Sequence, residues 1–543
     1  MPRQKRQQND YEPVKPANAS RRALNARDDD AVAGDTPPDE FASSLSRAGM
    51  VDESNVVVRP VRGNVVEGAG GGAGHDDGGA TVGVGASVEK RGEDAGKRSI
   101  LKRGHLLSYL GLFLFTSVLY FRPYEFFPEY TFLFSLAFWV AVCTLAVFFP
   151  TQFMLEGSLT TRPREVNLIL LFTLLVLVGI PLATDPAMAW KAFNDLYVKN
   201  MLMFIVIVNV VRTERRLKYL LWLALAVGCV LSVSAVQDFR SGNFTVEGYR
   251  VTGNIGGMFG NVNDMALHLV ITVPIAVGLF LQTRNVLHKL AYALCCAAML
   301  TGIFFSYSRG AFLGLICVVA ALIWMLFRRN RMAAVVLFCL AVLAMLILAP
   351  GNYIDRVISI VDHSRDAAGS APQRQAVLMR SLLVSARHPL LGVGMGNFPI
   401  YSIRNLVTHN SYTQVSAELG LLALAAYVMF MITPLRRLAR IARETFNARR
   451  DARVYYLSVG LFASIIGYMV TSAFIAVAYW PFVYYLVGYA VCLHRIYEAN
   501  QPVSVNVETS DVSVEHLPAN DALTEHLPAA TARIEPSYGR GSS

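Results

Sequence analysis

Long apolar runs separated by short polar segments make up the middle of the chain, and both ends are polar. The run 130–149 contains no charged residue, and its length matches the about 20 apolar residues that a helix needs to cross the hydrocarbon core of a bilayer. The pattern predicts an all-α fold, a polytopic membrane helical bundle of about twelve transmembrane helices. The predicted spans are residues 106–121, 130–149, 166–184, 195–211, 217–236, 264–282, 287–306, 310–327, 332–350, 410–433, 454–477 and 479–497.

The polar ends set the domain boundaries. Residues 1–105 are rich in Gly, Asp, Arg and Ala without helical periodicity, and we expect a disordered cytoplasmic tail there. Residues 498–543 are similarly polar, and we expect a second disordered cytoplasmic tail. We expect no cleavable signal peptide, because the first apolar run begins only near Leu106. The membrane domain is then residues 106–497.

The arginine-rich loops predict the orientation. The loop 434–453 holds seven arginines, which makes it the best candidate for a cytoplasmic loop under the positive-inside rule. The long segment 351–409, one span earlier, then lies on the extracytoplasmic side. We predict that this loop is partly helical, over residues 373–387. Long structured loops in compact proteins are usually functional.

Composition narrows the class of protein. Hydrophobic residues make up 54% of the chain and charged residues 16%, which leaves too little polar surface for a water-soluble core. The net charge of +10 comes largely from short clusters between apolar runs, so it is a topology signal and we expect no nucleic-acid partner. The seven cysteines lie inside apolar runs without zinc-ligand spacing, so we expect packing residues and no metal site.

The extracytoplasmic segment supplies the first candidate residues. It contains six arginines and no lysine, which suits bidentate recognition of phosphate or carboxylate, although ordinary contacts with lipid headgroups explain such arginines equally well. Arg374 lies near the N-terminus of the predicted helix, an end that favours anions. Arg380 and Arg387 share another face of that helix. The glycines of 388–398 fit either a tight loop or a close approach to a ligand.

The junction at His409 and Asn410 opens the next span. A neutral imidazole at a membrane–water boundary suits a general base, although a lone histidine is more often structural. Thr413 and Ser416 share its helical face. Glu418 lies deeper in the span, where a carboxylate should have a partner.

Two further positions carry candidate chemistry. Arg309 is the sole charge between two tightly joined spans, and an ionisable group there is a functional candidate. Arg250 leads through a glycine-rich stretch to Asn261 and Asn263, whose amides suit sugar hydroxyls. Helix capping is the simpler interpretation of Asn263.

These motifs, taken in order, resemble the O-antigen ligase and polymerase superfamily of bacterial envelope glycan enzymes. Arg-x-x-Gly…Gly-Asn-x-Asn (250–263) is followed by Ser-Arg-Gly-Ala (308–311), then by His-Pro-Leu-Leu-Gly-Val-Gly-x-Gly-Asn-Phe (388–398) and by His-Asn-Ser-Tyr-x-Gln…Ala-Glu-Leu-Gly-Leu-Leu (409–422). The family often has proline where this chain has Val262. The resemblance covers roughly residues 106–497.

The resemblance implies an enzyme of the bacterial inner membrane with its active face outside. Its donor would be a polyprenyl-diphosphate-linked glycan, and its acceptor a glycolipid such as lipid A–core, another carrier-linked glycan, or a protein. By position, the two family arginines and the family histidine correspond to Arg309, Arg374 and His409, which act without metal, nucleotide or other cofactor. Substrate contacts would come from the residues Arg250, Asn261, Asn263, Arg380, Asn410 and Glu418.

Two alternatives remain open from the sequence. A chain polymerase would use the same donor and the same residues. A transporter of lipid-linked glycans belongs to another class, and such proteins usually show internal repeats and broken helices. The two halves of this chain show no convincing repeat, and the candidate residues concentrate at extracytoplasmic positions, which favours chemistry there.

Overall fold

The computed structural model describes residues 104–244, 250–253, 255–347, 370–447 and 452–501. These residues form α-helices, a few single turns of other helix types and no β-strand. The helices are α1 (Leu106–Phe121), α2 (Pro123–Phe126), α3 (Phe132–Glu156), α4 (Arg164–Gly179), α5 (Pro186–Ala192), α6 (Val198–Val210), α7 (Glu214–Ser241), α8 (Val262–Gln282), α9 (Val286–Phe305), α10 (Arg309–Leu326), α11 (Arg331–Ile347), α12 (Ser370–Arg387), α13 (Phe398–Tyr401), α14 (Ser411–Asn447), α15 (Ala452–Thr471) and α16 (Pro481–Ala499).

Each of the twelve predicted spans coincides with a helix. Eight stretches of the described residues are long and apolar enough to cross a membrane, and α1 and α11 are shorter apolar helices. The all-α polytopic membrane fold is therefore confirmed. The span predicted from residue 195 begins earlier than expected, because α5 and α6 are joined through a π-helical turn over Phe193–Tyr197. The two predicted tails, apart from their residues nearest the bundle, and residues 348–369 of the predicted loop lie outside the described residues.

Close helix crossings form the core of the bundle. A side chain at Gly278 of α8 would press against the backbone oxygen of Tyr456, and one at Gly460 of α15 would press against that of Pro274. Ser464 also donates a hydrogen bond to Ile271 O at 2.7 Å across the same crossing. Small residues and hydroxyl bonds of this kind are the usual means by which helices associate in a bilayer, where apolar burial gives little driving force.

The loops between helices collect at two opposite ends. At one end Arg212 contacts Glu156 at 2.7 Å and Arg437 contacts Glu165 at 2.9 Å, so three basic segments meet there. The predicted loop 434–453 is wrong as far as residue 447, because α14 continues through Arg437 to Asn447. Gln282 donates to a carboxylate oxygen of Glu214 at 2.8 Å, which adds the loop after α8 to the same end. Under the positive-inside rule we expect this end to be cytoplasmic. The described residues just before α8, α10 and α14 lie at the other end, which we expect to be extracytoplasmic.

Candidate functional site

Helix α12 packs against the outer part of α14. Its buried face carries Val377 and Val384, which form a small core with Val393, Phe398 and Ala417. The predicted helix over 373–387 is therefore present and begins slightly earlier, at Ser370.

A hydrogen bond fixes this pairing of helices. Ser385 of α12 and Ser416 of α14 join their hydroxyls at 2.8 Å. The hydroxyl pair and the small core hold α12, and with it Arg374, against the helix that follows His409.

Helix α14 is interrupted at Gly420, which has φ 85° and ψ 177°. The glycine-rich segment 388–398 fills the interruption with three backbone hydrogen bonds. They run from Val393 N to Ala417 O at 3.0 Å, from Gly394 N to Glu418 O at 2.9 Å, and from Leu421 N to Pro389 O at 2.7 Å. Backbone groups that a continuous helix would satisfy internally are therefore satisfied by an inserted loop, as burial in a membrane protein requires.

The glycines of this segment allow close packing against other parts of the protein. A Cβ at Gly392 would overlap the backbone of Glu418, and a Cβ at Gly420 would overlap the backbone of Leu390. Gly394 lies against Ala183 in the same manner. All three have positive φ, which side chains rarely adopt. The structure therefore supports the tight-loop interpretation of the segment rather than an approach to a ligand.

Glu418 fastens the same loop. It is buried, and its Oε2 accepts hydrogen bonds from Gly396 N at 2.9 Å and from Tyr479 Oη at 2.8 Å. The expected partner of this intramembrane carboxylate is thus present. Tyr479 was not a sequence candidate, because nothing in the sequence joins residues so far apart. In this arrangement Glu418 holds protein groups, and its predicted contact with substrate stays a prediction.

His409 lies two residues before α14 with φ 51°, a left-handed conformation that costs a non-glycine residue about 1–2 kcal/mol. The next residue caps the helix, since Asn410 Oδ1 accepts hydrogen bonds from Tyr412 N at 2.9 Å and Thr413 N at 3.1 Å. Asn410 therefore positions His409 at the helix entrance. A strained backbone held in place by its neighbours is a frequent property of functional residues.

Burial and the positive charge of Arg374 lower the pKa of His409 to about 4. The imidazole is therefore neutral at pH 7 and has a nitrogen lone pair with which to accept a proton. The structure brings together two of the three predicted catalytic residues in this way.

The buried Arg250 and the partly buried Asn263 form a group at the turn that leads to Arg309. Arg250 donates from Nε to Ser306 O at 2.9 Å and from Nη2 to Asn263 Oδ1 at 2.9 Å. Ser308 donates from its hydroxyl to the same Asn263 oxygen at 2.8 Å. The predicted substrate contacts of Arg250 and Asn263 stay predictions, and the observed contacts of both residues hold the turn 306–308.

The cap of α8 differs from the sequence interpretation. Asn261, not Asn263, is the N-cap residue, since its Oδ1 accepts a hydrogen bond from Asn263 N at 2.8 Å. The physical reason is that Asn263 Oδ1 is already used by Arg250 and Ser308, whereas Asn261 lies at the exposed start of the helix. Capping leaves the predicted contact of Asn261 with substrate untested.

Arg309 is the first residue of α10, directly after the N-cap Ser308 and two residues after Tyr307, which has φ 48°. Its neighbour Gly310 lies close against Phe474, so that an added Cβ would come within 2.8 Å of the Phe474 Cβ. The helix that begins with Arg309 is therefore anchored to the 3₁₀ turn Ser472–Phe474.

The same turn leads to the His409 junction. Ser411 donates to Ile475 O at 2.7 Å and accepts from Val477 N at 2.9 Å. Segment 472–477 therefore contacts both groups of candidate residues. Its first residues pack against the turn at Arg309, and its last residues bond to Ser411, close to His409.

The two remaining arginines of α12 have different roles. Arg380 Nε donates to Tyr401 O at 2.9 Å, and this bond fixes the chain that returns toward His409. Arg387 is exposed at the end of the helix. The site therefore offers Arg374 and Arg309 as cations at one end of the bundle and a neutral imidazole beside the first of them.

Comparison with known proteins supports the same region. Residues 294–428 match the family model described as O-antigen ligase, and this stretch includes Arg309, Arg374, His409 and Glu418. No curated protein matches the chain at a significant level. The resemblance inferred from the ordered motifs is confirmed over this stretch, and this multi-pass membrane protein contains a region that matches the O-antigen ligase family.

Proposed function

We propose that the protein transfers a glycan from a polyprenyl-diphosphate carrier to an acceptor hydroxyl at the outer face of a bacterial inner membrane. The observation that carries this proposal is that the charge of Arg374 acts on His409, two residues before α14, inside the family-matched region. A cation for a leaving phosphate and a base for a hydroxyl proton are the two groups that such a transfer needs.

The reaction is a substitution at the sugar carbon that carries the diphosphate. The acceptor oxygen forms the new bond to this carbon, the bond from carbon to the diphosphate oxygen breaks, and the leaving diphosphate keeps the electron pair. The acceptor proton passes to the free nitrogen of His409. Arg309 and Arg374 stabilise the negative charge on the diphosphate through charge-assisted hydrogen bonds, for which a guanidinium is well shaped.

The donor itself would strengthen the base. In the free protein the charge of Arg374 helps to depress the pKa of His409. A bound diphosphate neutralises that charge and adds negative charge nearby, and both effects favour the protonated imidazole. Proton transfer to His409 therefore becomes more favourable once the donor is in place, which couples base strength to donor binding.

The acceptor defines the remaining choice. A ligase would use lipid A–core or a related glycolipid, a polymerase would use another carrier-linked glycan, and an O-glycosylating enzyme would use a protein. All three reactions use the same donor and the residues Arg309, Arg374 and His409. The geometry therefore supports the step that they share, the transfer of a glycan to an acceptor hydroxyl.

Transport of a lipid-linked glycan is the contrasting function. Broken helices in transporters usually line a substrate cavity with their free backbone groups. In this protein the break at Gly420 is occupied by residues 388–394 through backbone hydrogen bonds. The break therefore holds the loop 388–394 in place beside the candidate site. This use of a broken helix favours transfer over transport.

The decisive experiment measures transfer and donor binding separately on purified protein with a lipid-linked glycan. His409→Ala should slow transfer by about 10²–10⁴-fold, the usual contribution of a general base. Donor binding should persist, because the arginines hold the diphosphate. His288→Ala, at an exposed position near the opposite end, is the matched control and should retain full activity. Transfer by His409→Ala within a few-fold of wild type would refute the proposed base.

A further inference from the structure

Helix α12 and the turn after it expose a stripe of leucines on the side opposite the small core at Val377 and Val384. The leucine stripe consists of Leu382, Leu383 and Leu390, whose side chains are 48%, 39% and 80% exposed. Exposed apolar residues that lie next to one another usually mark a surface that contacts another molecule or a membrane. The stripe therefore raises the question of what covers it.

The exposed face of α12 changes character along the helix. It begins with Gln375, continues through Met379, and ends with the leucine stripe. A helix that lies flat on a membrane is apolar along the whole of the face that it buries. A polar start followed by an apolar end instead fits a helix whose last turns enter the hydrocarbon while its first turns stay outside.

The position of Leu390 along the bundle follows from α14. Pro389 O accepts a hydrogen bond from Leu421 N at 2.7 Å, so Leu390 lies near the level of Leu421. Leu421 is sixteen residues before Arg437, whose ion pair with Glu165 belongs to the basic end. At 1.5 Å per residue this level is about 24 Å from the basic end, within a hydrocarbon core of about 30 Å.

Helix α4 gives a similar depth by an independent route. A Cβ added at Gly179 would lie 3.9 Å from Leu391 O, so these two residues are at one level. Gly179 is fourteen residues after Glu165, which corresponds to about 21 Å from the basic end. Two helices thus place the turn 388–391 about 6–9 Å inside the outer boundary of the hydrocarbon.

The surface beside the turn belongs to membrane helices. Leu421 and Leu422 of α14 and Leu182, just after α4, are more than half exposed. Because α14 is long and apolar enough to cross a membrane, its exposed side chains at this level face acyl chains. Leu390 extends this lipid-facing surface from α14 onto α12.

The backbone of the turn satisfies the condition that hydrocarbon imposes. His388 N donates to Val384 O at 2.9 Å, Gly392 N donates to His388 O at 3.1 Å, and Val393 O accepts from Thr184 N at 3.0 Å. These bonds add to the three that join the segment to α14. Irregular backbone at membrane depth is tolerated only where the protein itself satisfies its polar groups. The turn combines such a backbone with an exposed apolar side chain.

We propose that the last turns of α12 and the turn 388–391 are inserted into the outer leaflet, with the leucine stripe in contact with the acyl chains of membrane phospholipids. Leu383 is seven residues before Leu390, so it lies up to about 10 Å higher, near the boundary between hydrocarbon and headgroups. Arg387 lies between these two leucines, and its long stem lets the guanidinium reach the headgroups.

The insertion changes the description of the segment and gives it a task. Residues 380–391 form a re-entrant element, although the sequence places them in an extracytoplasmic loop. Because Arg374 belongs to the same helix as the stripe, the depth of the leucines sets the height of Arg374 above the membrane. The inference concerns this anchoring and does not depend on the reaction that the site performs.

The test uses the full-length chain without its seven native cysteines, in vesicles of phosphatidylethanolamine and phosphatidylglycerol, with a nitroxide spin label on one introduced cysteine. Labels at Leu383→Cys and Leu390→Cys should collide more often with oxygen, which dissolves in hydrocarbon, than with a water-soluble nickel chelate. The label at position 390 should be the deeper of the two, by up to about 10 Å. Gln375→Cys is the matched control on the same face and should show the reverse preference.

The unaltered chain provides a second measurement. In the same vesicles, a phosphatidylcholine with a photoreactive group in its acyl chain should label residues 382–391 together with Leu421 and Leu422. Labelling of the two α14 leucines without residues 382–391 would overturn the proposal. This result needs no substitution, so it decides the question even if a cysteine variant fails to fold.

The spin labels distinguish the other possible surroundings of the stripe. A preference for the nickel chelate at both leucine positions would show that the stripe faces water, and the proposal would fail. Exclusion of oxygen and nickel alike would show that a second copy of the chain covers the stripe, which would also overturn it. Preference for oxygen at positions 383 and 390 but not at 375 would establish the insertion.

Discussion

Arg374 lies close enough to His409 for its positive charge to lower the pKa of the imidazole, in addition to the larger effect of burial. Arg374→Gln removes this charge, so the pKa of His409 should rise from about 4 toward its usual 6.5. An NMR titration of the His409 imidazole in micelles measures the shift directly. Arg387→Gln, at an exposed position on the same helix, is the control and should leave the titration unchanged. An unaltered pKa in Arg374→Gln would show that burial alone sets the value.

The same depression links acidity to stability. Because the pKa is lowered in the folded state, the unfolded chain binds the proton more tightly between about pH 6.5 and pH 4. The contribution of His409 to folding is therefore fully present above pH 6.5 and is lost as the pH falls toward 4. Comparing the thermal midpoints of wild type and His409→Gln over this range should reveal a wild-type decline that the variant lacks. Parallel curves would contradict the prediction.

Arg309→Lys tests whether shape or only charge matters at the first turn of α10. Lysine keeps the charge but replaces a planar fork of donors by a point ammonium, so we expect transfer to fall by about tenfold or more. The assay is run in the presence of EDTA, because the arginines should supply the positive charge that a cation supplies elsewhere. Arg284→Lys, exposed at the basic end, is the control. A fully active Arg309→Lys protein would indicate a structural arginine.

Substitutions of Asn263 distinguish a role in positioning the turn from a role in sugar binding. Its Oδ1 accepts from both Arg250 and Ser308, so Asn263→Asp keeps the acceptor, whereas Asn263→Leu leaves two buried donors unsatisfied at about 1–3 kcal/mol each. We therefore expect near-normal transfer from the aspartate variant, and a lower kcat and a lower thermal midpoint from the leucine variant. If the amide instead bound the sugar, both variants would raise KM for the donor. Measuring kcat and KM for the two proteins distinguishes these roles.

Gly420→Ala should prevent the loop 388–394 from entering the break in α14. The new Cβ would overlap the Leu390 backbone at a φ of 85°, so we expect severe loss of folded protein. Gly157→Ala is the matched control, because Gly157 also has a positive φ of 63° but has nothing within 4 Å of an added Cβ. It should be destabilised only by backbone strain, about 1–2 kcal/mol. Size-exclusion yield and thermal midpoint measure both, and equal behaviour of the two would show that strain and not overlap governs Gly420.

The sequence was sufficient for the helices and insufficient for the break in α14. Apolar runs such as 130–149 predict their helices because the thickness of a bilayer sets the length. Gly420 lies within an equally apolar run, and glycine is common in continuous membrane helices. Its interruption is determined by a loop that contacts it through backbone atoms, which leave no pattern in side chains. The partners of Glu418 were out of reach for the same reason, since one is the amide of Gly396.

The candidate residues show a similar division. Arg374 and His409 could be nominated from residue type and motif order, and the structure adds the electrostatic contact between them. The choice between Asn261 and Asn263 as cap could not be made from sequence, because it depends on Arg250, which requires the Asn263 oxygen.

The loop that fills α14 has a consequence for building hybrids between related enzymes. Residues 388–398 and 411–421 meet through atoms of the main chain and through glycines that admit no side chain, so each is shaped to the other. A recombination crossover between the two segments would combine the loop of one parent protein with the broken helix of the other. Their backbones would then not fit together, even where the two parents have the same hydropathy pattern. Crossovers before α12 or after residue 421 would keep the fitted pair intact. Because α12 packs on the same pair through Ser385 and the small core at Val377 and Val384, residues 370–421 form a cassette that a recombination library can exchange as a unit.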